Sequence, residues 1–326
     1  MKLNYFNKYG VFIVPTGIGA SVGGFAGDAS CWARKIAQKI PLIVNPNVVN
    51  AAVFSGITEN MLYTEGWALN EFLNGKLGLK KSLNNNIGVI FDKAISKEII
   101  NVHINTINAV KTVYGINISK YEITQEPVGV NFRFDEKGFS TGEILNPETL
   151  IKAGEKLKRE GVDAIAVVCL FPEPEEDLYE SGEGVDIVGG VEAMISHYMT
   201  RELKIQCVHA PAFEDITIST QLVHPKACAE YITPTFLPCL FFGLENAPKI
   251  VPFEEAEITY KDVKYLIVPA TSLGNAAVFA ALKNNIKILA VEENKTVLNV
   301  NAKSLNIEKN VTLCQNYNQV LEEIGK

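Results

Sequence analysis

The chain opens with an apolar run, a glycine-rich loop and a helical segment, and this order constrains the fold most. The run GVFIVP (10 to 15) leads into TGIGASVGGFAGDAS, then into CWARKIAQKI (31 to 40) and the apolar PLIVN (41 to 45). CWARKIAQKI has helical spacing, whereas both flanking runs are short and apolar, as strands are. Strand, loop, helix and strand in this order predict a βαβ unit with parallel strands.

The same alternation returns along the chain. IGVIFD, DAIAVVCLF and KIQCVHAP are strand-like and are separated by helical segments, and residues 263 to 294 form another βαβ pattern. Between 121 and 145 the chain instead alternates apolar and polar residues around turn signals, which predicts antiparallel strands. We therefore expect an α/β fold of Rossmann-like units, with helices on both faces of a mostly parallel sheet and an antiparallel insertion.

Length and composition set the size of the fold. The chain has 326 residues, of which 47% are hydrophobic, enough for a large core. No linker marks a clear boundary, so residues 1–326 are expected to form a single α/β unit, with two lobes of about 1–145 and 146–326 as the alternative.

Charge and hydropathy exclude several classes of partner. The formal net charge is −7, and no cluster of Lys and Arg stands against it, which disfavours nucleic acid and anionic membranes. No apolar run reaches 18 residues, and MKLNYFNKYG lacks the pattern of a signal peptide. The six cysteines are widely spaced, as expected for reduced thiols. These features predict a cytoplasmic protein.

The glycine-rich loop is the first candidate binding site. Gly17, Gly19 and Gly23 give GxGxxxG rather than the dinucleotide spacing GxGxxG, and the next strand ends in Asn45, where NAD-binding units usually carry an acid. A standard NAD site is therefore disfavoured, and the sequence identifies no cofactor. The loop amides, with Thr16 and Gly24, are still expected to bind a phosphate or carboxylate at the start of the following helix.

Further polar groups follow other predicted strands. Near the C-terminus, Thr271, Ser272, Gly274 and Asn275 combine hydroxyls and amides at a helix start, which suits an anion but also suits simple capping. After the second strand, Asn45 and Asn47 either turn the chain or orient a substrate. Because parallel strands end at one edge of a sheet, all these groups are predicted to lie at that edge.

Four residues are the candidates for proton transfer. Asp28 precedes a helix, so it is either an N-cap or an acid/base group, and His209 follows a strand, where it either acts on a substrate or bonds to a loop. Glu65 and Glu292 end other strands and are the second choices after Asp28 and His209. His197 lies five residues after Glu192, so they are not the i, i+4 pair of a helical metal site, and no metal centre is predicted.

Several longer motifs carry a family resemblance: VPTGIGASVGGFAGDAS, NPNVVNAA, TEGWALNEFLNGKLGL, GEGVDIVGGVEAMISH, CVHAPAF and PATSLGNAAVFAAL. Together they resemble a bacterial and cyanobacterial family catalogued only as a domain of unknown function, number 3326. The resemblance spans nearly the whole chain and implies a protein of about this length. It implies no activity and no site residue.

These features favour a cytoplasmic enzyme of small-molecule metabolism that acts on a small anionic metabolite by acid/base chemistry, with the reaction type open. One alternative is a glycosyl or phosphoryl transferase that uses a nucleotide donor. Another is a non-catalytic protein that binds a ligand or assembles into a homo-oligomer.

Overall fold

The fold is taken from a computed structural model that describes residues 8–173 and 178–326. The strands in chain order are β1 (Tyr9–Phe12), β2 (Leu42–Val44), β3 (Asn50–Ala51), β4 (Phe54–Ser55), β5 (Met61–Tyr63), β6 (Gly78–Lys80), β7 (Ile87–Phe91), β8 (Ile118–Ile123), β9 (Val130–Phe134), β10 (Ser140–Ile144), β11 (Ala164–Leu170), β12 (Gln206–Ala212), β13 (Lys249–Val251), β14 (Val263–Pro269), β15 (Lys287–Val291) and β16 (Val311–Cys314). The α-helices are α1 (Ser30–Ala37), α2 (Pro46–Val49), α3 (Gly66–Leu73), α4 (Lys97–Tyr114), α5 (Pro147–Arg159), α6 (Gly189–Leu203), α7 (Cys228–Tyr231), α8 (Leu237–Leu244), α9 (Ala276–Lys283) and α10 (Tyr317–Gly325).

Most strands belong to two parallel sheets. The large sheet has the order β16-β15-β14-β1-β2-β5, and the small sheet has the order β12-β11-β7-β8. Every pairing within both sheets is parallel. In the large sheet the chain order reverses direction between β1 and β14, which makes that point the topological switch where α/β folds bind ligands. The α/β class predicted from the sequence is confirmed.

The local signals explain why these segments fold as they do. Ser96 caps α4 by accepting a hydrogen bond from the Ile99 amide, and Gly115 ends it with φ of 73°. Within the strands, burial is continuous along β7 and along nearly all of β11, because helices cover both faces of the sheet.

The antiparallel insertion is smaller than the sequence predicts. β9 and β10 pair antiparallel across residues 130–144, whereas the expected range began at residue 121. Residues 121–123 belong to β8, which pairs parallel with β7 at the edge of the small sheet. β8 is largely exposed after Ile118, as an edge strand can be, and its mixture of apolar and polar residues explains why its pattern resembled a hairpin.

The two sheets share one hydrophobic core. Phe12 and Val44 of the large sheet belong to the same buried cluster as Val89 and Val168 of the small sheet. The apolar helix α8 is buried along almost its whole length and contacts both β11 and β12. This shared core fixes the edges of the two sheets relative to each other.

The sheets do not separate near residue 145. Residues 9–63 and 263–314 supply the strands of the large sheet, and residues 87–212 supply those of the small sheet. A boundary at 145/146 falls inside the segment that builds the small sheet. The choice between one unit and two lobes stays a prediction, but a lobe division would follow the sheets instead.

Candidate functional site

The principal cavity lies where the carboxyl ends of the two sheets face each other. Its volume is about 650 Å³. The large sheet contributes residues that follow β1, β2 and β5, and the small sheet contributes residues that follow β11 together with the end of β12. Residues 213–236, which connect β12 to α8 and are called the cover segment below, form another part of the wall. This is the strand-end position where α/β folds place ligands.

One wall holds the pair Glu65 and His197. Glu65 is 1% exposed and precedes α3, where its Oε2 accepts hydrogen bonds from the amides of Trp67 and Ala68. Its Oε1 forms a close hydrogen bond to Nδ1 of His197 on α6. Burial lowers the pKa of His197, but the hydrogen bond and negative charge of Glu65 outweigh it, so the pKa is raised overall. His197 is therefore held toward the imidazolium form.

A glycine makes this contact possible. A methyl group at Gly66 would come 2.6 Å from Cε1 of His197. Glycine at the start of α3 thus leaves room for the Cε1 edge of the ring beside the helix, with Nδ1 within reach of the Glu65 carboxylate.

The second pair is Glu192 and His209. Glu192 lies in the first turn of α6, and its Oε1 is 3.3 Å from Nδ1 of His209 in β12. The His209 side chain is fully buried, and burial lowers its pKa to about 3. Burial raises the pKa of Glu192 to about 8. Near neutral pH both partners are therefore uncharged, unlike the first pair.

His209 has one nitrogen without a partner. Its Nε2 is buried, and no described protein atom hydrogen-bonds to it. Because His209 lies in the cavity wall, a ligand atom is the natural partner for this nitrogen. The sequence placed His209 after its strand, whereas the structure places it within β12, three residues before that strand ends, because the strand continues through Pro211 to Ala212.

The cover segment brings a third acidic group to the cavity. Glu230 accepts a hydrogen bond of 3.0 Å from the Tyr179 hydroxyl. Burial, and then the charge of Asp186, raise its pKa well above the ordinary value. Asp186 accepts hydrogen bonds from the amides of Val188 and Gly189 at the start of α6.

The glycine-rich loop contacts the protein's own groups where an anion was expected. The amide of Gly23 donates to Asp28 Oδ1 at 2.6 Å, and that of Val22 donates to Asn294 at 3.0 Å. Gly17 packs against Gly190, and Gly19 packs against the backbone near Val185. A side-chain carboxylate thus occupies the position that the sequence suggested for an external phosphate.

Asp28 is neither an N-cap nor part of the cavity wall. The N-cap of α1 is Ala29 and has no side-chain cap, whereas the Asp28 carboxyl turns back to the glycine loop. Its Oδ2 lies 3.8 Å from Lys226 of the cover segment. Burial raises the pKa of Asp28 to about 6 against the lowering effects of the Gly23 amide and Lys226. Asp28 therefore ties the loop to the cover segment.

Two asparagines hydrogen-bond to the backbone of the glycine-rich loop and of the residues just before it. Asn45 exchanges two hydrogen bonds with the backbone of Val14, which joins the ends of β1 and β2. Asn47 Nδ2 lies within hydrogen-bond distance of the carbonyls of Val14, Pro15 and Gly23. Both asparagines also line the cavity, so their positions at the strand end serve the loop and the cavity together.

The C-terminal group lies away from this cavity. Asn275 caps α9 by accepting from the Val278 amide, and Thr271 hydrogen-bonds to Thr296. Ser272 donates to the carbonyl of Pro269, and Glu292 is exposed. The capping alternative is therefore the one the structure shows for Asn275. Of the predicted residues, the cavity wall includes Thr16, Gly24, Asn45, Asn47, Glu65 and His209, and it leaves out Gly17, Gly19, Gly23, Asp28, Thr271, Ser272, Gly274, Asn275 and Glu292.

Sequence reasoning missed His197, Glu192 and Glu230. Glu192 and His197 share α6, but each of them finds its partner on a different element. Within residues 8–173 and 178–326, no three His, Cys, Asp or Glu side chains come together as a metal site. One available signal was the acidic residue in the first turn of α6, two residues after a glycine pair.

The cysteines are all free thiols. Four of them are buried, namely Cys169, Cys207, Cys239 and Cys314, and burial raises the pKa of each.

Among the described helices, none is long and apolar enough to cross a membrane.

The chain belongs to the family described as protein of unknown function (DUF3326), whose model matches residues 9–325. This confirms the resemblance drawn from the motifs. A similar protein from Synechococcus sp. is named an uncharacterized lipoprotein; it is 36% identical over 305 residues, which cover 91% of this chain and 85% of that protein. No solved structure matches the chain significantly.

Proposed function

We propose that the protein is an enzyme that moves protons on a small polar metabolite bound in the cavity between the two sheets. The observation that carries the proposal is the presence of two His–Glu pairs in one cavity wall with opposite protonation. Glu65 holds His197 toward the charged form, whereas burial keeps His209 and Glu192 neutral. Titratable groups whose pKa values are pushed apart in one cleft are typical of acid/base sites.

The roles follow from the protonation states. With Nδ1–H donated to Oε1 of protonated Glu192, His209 carries a lone pair on Nε2 and accepts a proton from the substrate. Glu192, 3.3 Å away, stabilises the charge that His209 gains. His197 has a half-exposed side chain and supplies a positive N–H group for negative charge that develops on a substrate oxygen.

The cavity favours this proposal over the nucleotide-dependent alternative. Two of the loop amides that would bind a diphosphate donate instead to Asp28 and Asn294. In the wall, the buried Nε2 of His209 has no hydrogen-bond partner among the described residues, which suits proton transfer. A non-catalytic ligand-binding protein would use the same cavity, so the test must separate binding from turnover.

The test uses deuterium because the substrate class is unknown. The purified protein is incubated in D₂O with a panel of polar metabolites, and mass spectrometry detects compounds that exchange a carbon-bound hydrogen or change in mass. We expect at least one compound to change with the wild type and not with His209→Gln or Glu192→Gln. His103→Gln is the matched control, because His103 is also buried, with a pKa lowered to about 4, but lies outside the cavity wall.

Equal turnover by the His209 variant and the wild type would remove His209 from the mechanism. Ligand-induced stabilisation without any exchange or conversion across the panel would favour the binding-protein alternative.

We also propose a cytoplasmic location, which the free and mostly buried cysteines support because such thiols persist in reducing compartments. The name of the Synechococcus relative supports a membrane-attached alternative. Fractionation of cells that express the native gene tests this: we expect the protein with cytosolic markers. Recovery in membranes that resist a salt wash but dissolve in detergent would overturn the cytoplasmic location.

A further inference from the structure

We infer that the cavity takes a substrate with an ammonium group and that Glu230 binds that group. This inference rests on the proposed function and names the charge class of its substrate. It replaces the anionic metabolite expected from the sequence.

The first observation is the charge of the wall. The carboxylates among the described lining residues are Glu65, Glu173, Glu180, Asp186, Glu192, Asp215 and Glu230. Against them stand two histidines, while no lysine or arginine occurs among the lining residues of 8–173 and 178–326. A phosphate or carboxylate ligand would enter this wall without a lysine or arginine partner, whereas an ammonium group would meet an excess of acceptors.

The second observation separates Glu230 from the other acids. Glu65 is paired with His197, and Glu192 contacts His209. Glu230 instead accepts a hydrogen bond from a neutral donor, the Tyr179 hydroxyl. The negative charges of Asp186 and of Glu192, when it is ionised, raise the pKa of Glu230. Among the residues that the structure describes, none forms an ion pair with the carboxyl of Glu230.

The nearby lysine does not fill this role. Lys226, four residues earlier, donates to the carbonyl of Ser21 at 2.7 Å and lies 3.8 Å from Asp28. It therefore neutralises the glycine-loop acid outside the cavity wall. A cation brought by the substrate is then the partner that Glu230 requires.

The third observation is independent of the acids. The unpartnered Nε2 of His209 lies in the same cavity wall, in a side chain with 0% exposure. A ligand is therefore expected to carry both a positive group for Glu230 and a polar or C–H group for His209. A small amine with a second functional group has this chemistry.

Cation binding is coupled to ionisation of Glu230. Burial raises the pKa of Glu230 and so favours its protonated form, whereas an ammonium group favours the carboxylate; binding of an ammonium group is therefore expected to release protons to solvent. Affinity for the amine is then expected to rise with pH, because deprotonation becomes easier.

The experiment compares three four-carbon compounds of one length: 1,4-diaminobutane, 1,4-butanediol and succinate. Titration calorimetry on the wild-type protein should give the tightest binding for the diamine and the weakest for succinate. Repeating the diamine titration in buffers of different ionisation enthalpy should show that binding releases protons. Glu230→Gln should weaken diamine binding about tenfold and remove this proton release.

A matched control is Glu59→Gln, which removes the same charge at an exposed position outside the cavity wall. We expect it to retain the diamine affinity of the wild type. Succinate binding as tightly as the diamine, or a Glu230 variant that keeps the preference for the diamine, would overturn the inference.

The outcomes also separate this inference from the proposed function. Diamine preference without hydrogen exchange on any compound would leave the ammonium site standing and refute the enzyme. Hydrogen exchange on a neutral or anionic compound, with no diamine binding, would support the enzyme and refute the ammonium site.

Discussion

Replacing Glu192 by glutamine should make the protein more stable at alkaline pH while changing little at acidic pH. Glutamine has the shape of protonated glutamate but does not ionise. In the folded protein burial raises the pKa of Glu192 from 4.5 to about 8. The unfolded chain has the ordinary value, so between these two pH values the folded state holds a proton that the unfolded state has lost.

The sign of the effect follows from that proton. Because the folded pKa is raised, the free energy of unfolding of the wild type falls as pH rises through this window. Each pH unit costs about 1.4 kcal/mol, and levelling near the folded pKa leaves a total of about 3.5 kcal/mol between pH 5 and pH 8. A chain of 326 residues has an unfolding entropy of about 0.7 kcal/mol per degree, so the melting temperature should shift by about 5 °C.

The assay is thermal unfolding of both proteins between pH 5 and pH 8. The melting temperature of Glu192→Gln minus that of the wild type should increase by about 5 °C across the range. Glu59→Gln, at an exposed site, should show a constant difference. A constant difference for Glu192→Gln as well would mean that Glu192 is already ionised in the fold, and the neutral His209–Glu192 pair would be wrong.

Further variants test the hydrogen bonds, the packing and the burial of residues in the cavity wall and in the glycine-rich loop. Asn47→Ala should lower the free energy of unfolding in urea by about 2 kcal/mol, because Asn47 Nδ2 faces three loop carbonyls, whereas exposed Asn101→Ala should change it little. Gly66→Ala should push the His197 ring away from Glu65 and lower the pKa of His197, which a histidine NMR titration measures; an unchanged pKa would refute the packing argument. Asp28→Asn should gain stability relative to the wild type as pH rises from about 4 to 7, by at most about 3 kcal/mol, since burial raises the Asp28 pKa to about 6. A gain that appears only below pH 4 would contradict this sign.

Local sequence signals predicted the elements well and their assembly poorly. The buried strand β11 lies within one residue of each end of DAIAVVCLF, the segment that predicted it, because a continuous apolar run is a local property. The split into two sheets was missed because strand pairing is not local: β7 pairs with β11, which follows it by more than 70 residues. A parallel strand has the same apolar pattern whichever sheet it joins.

For the candidate site as well, the sequence predicted which residues reach the cavity better than it predicted which residues contact each other. The strand-end rule brought Asn45, Asn47 and Glu65 to the cavity, because the parallel strands of the large sheet end at one edge. His209 reaches the same cavity from β12 of the small sheet. It did not predict the partners, since Glu65 and His197 are 132 residues apart and meet only when α6 packs against α3. For Asp28, the loop amides and the carboxylate that binds them are neighbours in sequence, and the pattern alone does not show which group binds the other.

A histidine NMR titration tests the two His–Glu pairs directly. The protein has four histidines, so single His→Gln variants assign every ring. We expect His209 to stay neutral from pH 8 down to about pH 4, because burial lowers its pKa to about 3, and we expect His197 to titrate above its ordinary pKa of 6.5. A His209 that gains its proton near pH 6.5, or a His197 that is already neutral at that pH, would contradict the opposite protonation of the two pairs and the acid/base function proposed from it.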